Sequence, residues 1–227
     1  MKKKMIAFVL CLVCLVSVMS FAGAEEVQED YLAGISGTYV ELFPEMAKEE
    51  YRQLWLDAAA PLVGEEYAED ATDLLLSMCM AEIYGDEATQ AYENDPESMR
   101  FDCYFLGGVA QFVMDGDVIT GLDAEGNEVF SHSYHTIDVD CDEDFLFYQT
   151  DDADAGQFTY FAFSPDTMET TYHLEFRYAE DVEDLMSWFE GSYAYWNAAG
   201  IAADYTDEIM ADVISLFVTE NLSGEEA

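Results

Sequence analysis

The sequence predicts a mainly β protein with flanking helices, its strands closing into an antiparallel barrel. Between residues 100 and 178, apolar side chains recur with a period of two in seven runs: Arg100–Leu106, Val109–Met114, Val118–Leu122, Glu128–Tyr134, Asp144–Thr150, Phe158–Ser164 and Thr170–Tyr178. That is the pattern of half-buried strands. Gly107-Gly108, Asp115-Gly116, Gly126-Asn127 and Ala155-Gly156 supply turns between several of them, and short strands in regular succession argue a meander that closes or nearly closes. On either side the period becomes helical, and no Pro/Gly/Ser-rich linker interrupts the chain, so one domain is expected.

From the N-terminus, Lys2-Lys3-Lys4, an apolar run from Met5 to Phe21 and Ala22-Gly23-Ala24 make the three parts of a secretory signal peptide. Residues 1–24 are read as that signal, cleaved after Ala24, and residues 25–227 as the exported domain, periplasmic or extracellular. The apolar run is at the short limit for a membrane span. Cys14 follows Val13 and lacks the small neighbours of a lipidated cysteine, so no stable membrane anchor is expected after cleavage.

Gly37–Phe43 reads as a further strand. A helix follows from Pro44, with Met46, Tyr51, Leu54, Trp55 and Ala58 on one face and Pro61 with Gly64 ending it. A second helix spans about Glu66 to Ile83, closed by Gly85. After the strands, Asp181–Trp196 reads as a helix with an acidic start, and a last helix begins at Thr206.

The charge is extreme. Once the three leader lysines are removed, Lys48, Arg52, Arg100 and Arg177 face 49 acidic residues. Such a field repels phosphate backbones and anionic lipids, which excludes nucleic acid as a partner, while it attracts cations. Dispersed carboxylates are also the ordinary solvated surface of an exported protein. Cys79, Cys103 and Cys141 remain in the exported chain, where disulfides persist. Three pairings are open, of which Cys79–Cys103 is favoured because it would pin a helix to the first strand of the meander. Asn221-Leu222-Ser223 matches a glycosylation acceptor.

Candidate chemistry concentrates in Thr170–Ala179. Alternation puts His173, Glu175 and Arg177 on one strand face and Leu174, Phe176 and Tyr178 on the other. An imidazole and a carboxylate two residues apart can reach one metal ion. The plain alternative is a structural histidine beside a surface Glu175–Arg177 ion pair. His132 and His135, three apart, fall on opposite faces of a strand and are read as structural or exposed. No Ser-His-Asp, phosphate-loop or catalytic-cysteine pattern stands out, and the chain is read as a non-enzyme.

His173-Leu-Glu175-Phe-Arg177-Tyr178-Ala179 resembles the hallmark His-Phe-His-Leu-Arg-Tyr-Gly of the ZinT (YodA) family of extracytoplasmic zinc-binding domains, also found in AdcA-type zinc lipoproteins. Gly37-Thr-Tyr-Val-Glu-Leu-Phe-Pro44 is similar to the family's opening motif, and the Trp188–Trp196 region resembles its aromatic segment. Glu175 stands where the family has its second hallmark histidine, and Ala179 where it has glycine. The resemblance implies a lipocalin-like (calycin) barrel and a site for zinc or another divalent cation. It also implies recruitment or delivery of metal to an uptake system, with a metal ABC-transporter binding protein as partner. Phe163-Ser-Pro-Asp166 occupies the place of the family's third ligand, so the implied set is His173, Glu175 and Asp166. Two other readings stay open: a lipocalin-like binder of a small organic ligand, and an interaction domain whose metal site has decayed.

Overall fold

The computed structural model describes residues 31–79, 103–141, 145–165, 172–187 and 197–223. The leader and the Trp188–Trp196 segment lie outside them. Among the described residues, nine strands form one antiparallel sheet in the order β4-β3-β2-β1-β9-β8-β7-β6-β5. They are β1 (Gly37–Glu41), β2 (Gln111–Asp115), β3 (Val118–Leu122), β4 (Glu128–Ser133), β5 (His135–Ile137), β6 (Leu146–Gln149), β7 (Tyr160–Phe163), β8 (Leu174–Ala179) and β9 (Ala198–Ala202).

The two ends of that order are one continuous piece of chain. β4 pairs with β3 and β5 pairs with β6, with only Tyr134 between them. The sheet therefore closes on itself nearly completely through a strand that changes partners at Tyr134. The corner is fastened on both sides: Tyr134 N–H donates to Asp117 O at 2.7 Å and its hydroxyl to Phe158 O at 2.5 Å.

Alternation gives the sheet an inner and an outer face. The inner face packs Tyr39, Phe112, Met114, Ile119, Phe130, Tyr148, Phe161, Phe163, Leu174, Phe176 and Tyr178 into one cluster. Phe112 lies at its centre, 4.8 Å from Phe105, 5.0 Å from Phe176 and 5.5 Å from Tyr178 between ring centroids. A barrel filled in this way has side chains where a lipocalin would hold its ligand. Gly121 on β3 is part of the fit, since a Cβ there would come within 2.4 Å of the Phe130 ring.

The outer face carries the helices α1 (Leu42–Met46), α2 (Arg52–Val63), α3 (Ala68–Cys79), α4 (Val182–Ser187) and α5 (Asp207–Leu222). Ala199 and Ile201 of β9 pack with Trp55 of α2 and Met210, Val213, Ile214 and Val218 of α5. A second outer patch joins Phe147, Ala162 and Ala179 to Leu185 of α4. Thr206 caps α5 by accepting from Ile209 N–H at 3.3 Å, as its position before two acidic residues predicts.

Several expectations need correction. Cys79 is a free thiol buried among the helices, with Cys103 packed against the same cluster, so the favoured bridge is not made. Residues 103–106 are not a strand. Phe105 N–H donates to Glu41 Oε1 and Leu106 N–H to the Tyr178 hydroxyl, each at 2.5 Å, while Cys103 O accepts from Ala199 N–H of β9 at 3.1 Å. The first strand stops at Glu41, and the expected single helix from Pro44 is split into α1, a 3-10 turn at Glu49–Tyr51, and α2. Pro61 lies inside α2, which runs on to Val63 and ends at Gly64 with φ of 92°. Asn221 is buried and its amide donates to Phe217 O at 2.7 Å, so it is not offered for glycosylation.

Candidate functional site

The site is built on the first residues of β8. Tyr172, at φ of 62°, turns the chain into the strand, and His173 precedes the first paired residue. Leu174 and Phe176, both fully buried, fix the strand against the barrel interior. That anchoring leaves Glu175 and Arg177 on the outer face, as alternation predicts.

His173 and Glu175 meet. His173 Nε2 lies 3.1 Å from Glu175 Oε1, with the imidazole side chain 12% exposed and the carboxylate 36% exposed. The other carboxylate oxygen, Oε2, accepts from Asn197 Nδ2 at 2.9 Å. Asn197 stands just before β9, whose pairing with β8 sets Glu175 opposite Ala199, so the sheet register itself brings the amide to the carboxylate. Burial pushes the Glu175 carboxyl up, but the hydrogen bond and charge of His173, with help from Asn197 and Arg177, hold it below the usual carboxylate range.

Two further features adjoin the pair. Asn197 Oδ1 is buried and has no hydrogen-bond partner among the described residues. Glu220, near the end of α5, has its carboxyl pushed up by burial and by the charge of Glu175, against a downward pull from His173. The electrostatic field of the pair therefore extends to the last turn of α5. Arg177 is buried, its guanidinium 5.0 Å from the centre of the Phe145 ring, which makes it part of the outer apolar patch as much as a neighbour of Glu175.

The donor chemistry fits a borderline divalent cation. His173 Nε2 and Glu175 Oε1 share a hydrogen bond at 3.1 Å, and a cation bound by both would take the place of the proton between them. The orphaned Asn197 oxygen adds an acceptor beside them. Among the described residues, no group of three His, Cys, Asp or Glu side chains converges on a metal-sized space. Asp166, the implied third ligand, lies outside the described residues. Asn197 and Glu220 were not legible as site residues, because they reach β8 only through the β8–β9 pairing and the docking of α5.

The other histidines separate. His132 Nδ1 pairs with Asp152 Oδ2 at 2.8 Å and its ring stacks on Phe130, while His135 lies exposed on β5 beyond the Tyr134 corner.

Comparison with protein-family models and with curated proteins gives no match. Among solved structures, the chain is similar to Zn(II)-bound AdcA from Streptococcus pneumoniae, with 14% identity and a TM-score of 0.48 over 83% of this chain and 35% of that one. It is similar to the Zn(II)-bound ZinT-like domain of the same AdcA at the same identity and TM-score, over 85% of this chain and 97% of the domain. The chain thus spans about a third of the length of AdcA. At these values the functional reading rests on the residues of this chain. No helix among the described residues is long and apolar enough to cross a membrane.

Proposed function

We propose that this is an exported protein that binds a divalent cation, zinc in the first instance, at the start of β8. The observation that carries the proposal is the convergence of His173 Nε2 and Glu175 Oε1 at 3.1 Å on a strand face fixed by fully buried neighbours. His173 supplies an imidazole nitrogen, Glu175 a carboxylate oxygen already ionised by its surroundings, and Asp166 a third ligand carried by the connection between β7 and β8. One nitrogen with two carboxylates is a harder set than three imidazoles, so it discriminates less well against manganese and binds more weakly. The acidic surface draws cations toward such a site.

Asn197 holds Glu175 from the side away from His173, the kind of outer hydrogen bond that orients a ligating carboxylate. Delivery of the bound metal to an uptake system, through a metal ABC-transporter binding protein, is the role the sequence resemblance implies. The packed barrel interior favours this reading over a small organic ligand held in the barrel. Zinc titration by calorimetry tests it, on wild type and on His173→Ala with Glu175→Gln. A wild type with one zinc site at least tenfold tighter than the double variant supports the reading; equal binding by both removes it.

A further inference from the structure

Among the described residues, the strand that closes the barrel leaves an edge open. Because Tyr134 N–H bonds to Asp117 O and the register runs Val118↔Ser133, Ile119↔His132, Thr120↔Ser131, the alternation of an antiparallel ladder turns the backbone groups of His132 toward β3. Those of Ser131 and Ser133 turn away from it. Among the described residues β4 has no second strand partner. Along that edge runs a cleft of about 440 Å³ lined by Glu128–His132 on one side and Asp154–Phe158 on the other. Its floor is aromatic, with Phe130 and Phe158 stacked at 3.9 Å. Val129 beside it is 40% exposed.

Edge strands are ordinarily blunted by lysine, proline or extreme shortness. β4 has six residues and none of these devices; its one irregularity is a bulge at Val129, which leaves the Ser131–Ser133 half of the edge regular. Its cleft is instead ringed by carboxylates: Glu128 and Asp154 line it, and Asp152 is held at its side by His132. Among the described residues, no lysine or arginine lines it. The corresponding edge of β5 is only three residues long and fronts a smaller cleft of about 230 Å³.

We propose that the open edge of β4 is a docking site for an extended, cationic segment of a partner protein, which adds a tenth strand by pairing with Ser131 and Ser133. Backbone pairing to an exposed edge supplies affinity without sequence demands, and pockets for alternate side chains supply preference. Here the carboxylates select lysine or arginine on the side chains facing Glu128 and Asp154, and the Phe130–Phe158 floor with Val129 receives apolar ones. A second copy of this chain is disfavoured as the occupant, because each copy carries a formal net charge of −42.

The test uses the full chain and a fluorescein-labelled hexapeptide of alternating lysine and valine, with the same peptide N-methylated at every amide as its partner. Methylation keeps charge and side chains and removes every backbone donor. At physiological salt the plain peptide binds at one site at least tenfold more tightly than the methylated one, and its binding slows hydrogen exchange at Ser131 and Ser133. Ser131→Pro, which removes an outward N–H and keeps the backbone bonds to β3 while losing the 2.8 Å hydroxyl contact with Thr120, weakens the plain peptide at least tenfold. Equal binding of both peptides to wild type would reduce the effect to bulk charge and overturn the proposal, as would unchanged exchange at those amides. Self-association that protects the same amides without peptide would overturn it in favour of a second copy. The peptide comparison is made on wild-type protein and so does not depend on how the variant folds.

Discussion

Phe112→Ala probes the filled barrel most directly. Phe112 is fully buried, and its ring lies within 6.1 Å, centroid to centroid, of Phe105, Phe130, Phe161, Phe176 and Tyr178. Truncation of a buried phenylalanine costs about 3–5 kcal/mol, of which a residual cavity of about 100 Å³ accounts for roughly 2.4 kcal/mol at about 24 cal/mol per Å³. Edge-to-face ring contacts add about 0.5–1.5 kcal/mol per pair, not additively. The loss therefore belongs at the upper end, about 5 kcal/mol. The other side chains of the cluster come from strands all around the barrel, so no single element can slide in to fill the gap. With a urea m-value of about 2 kcal/mol/M, the midpoint falls by about 2.5 M at constant m. A fall under about 0.5 M would mean that the ring is not held on all sides, and that the interior has room for a ligand.

Three further outcomes follow from local contacts. Tyr134→Phe removes the hydroxyl bond to Phe158 O that fastens the closing corner and lowers stability by about 1 kcal/mol, read from urea unfolding with the m-value unchanged. Thr206→Ala strips Ile209 N–H of its cap and costs about 1 kcal/mol, read from the same curves. Glu175 has a folded-state pKa below its unfolded value, so its contribution is present above an unfolded pKa of about 4.3 and is lost as the pH falls through the folded value. The stability difference between wild type and Glu175→Gln therefore shrinks on acidification below about pH 4.3; a difference that grows across that range would contradict the sign of the shift.

Much of the barrel was legible because its strands bury one face and alternate. Val118–Leu122 matches β3 residue for residue, and the Asp115-Gly116 turn joins β2 to β3. What escaped is informative. β9 reads Ala-Ala-Gly-Ile-Ala, a run with little intrinsic strand preference. It is made a strand by its neighbours β1 and β8, and its small residues let Gly200 sit against Tyr39, Phe105 and Phe176. β5 was missed because the run read as strand, Glu128–Tyr134, ends at the corner, and the three residues beyond it become a strand only by pairing with β6. In the site, the His173–Glu175 pairing could be read from a spacing of two. Asn197 and Glu220 could not, because long-range docking alone places them.

The site itself is tested most directly by X-ray absorption at the zinc edge on the zinc-loaded full chain. The account predicts one imidazole, with its characteristic outer-ring scattering, among oxygen ligands at about 2.0–2.2 Å, and loss of the imidazole signal in His173→Ala. Sulfur scattering at about 2.3 Å, or an imidazole signal that survives His173→Ala, would place the metal elsewhere and contradict it.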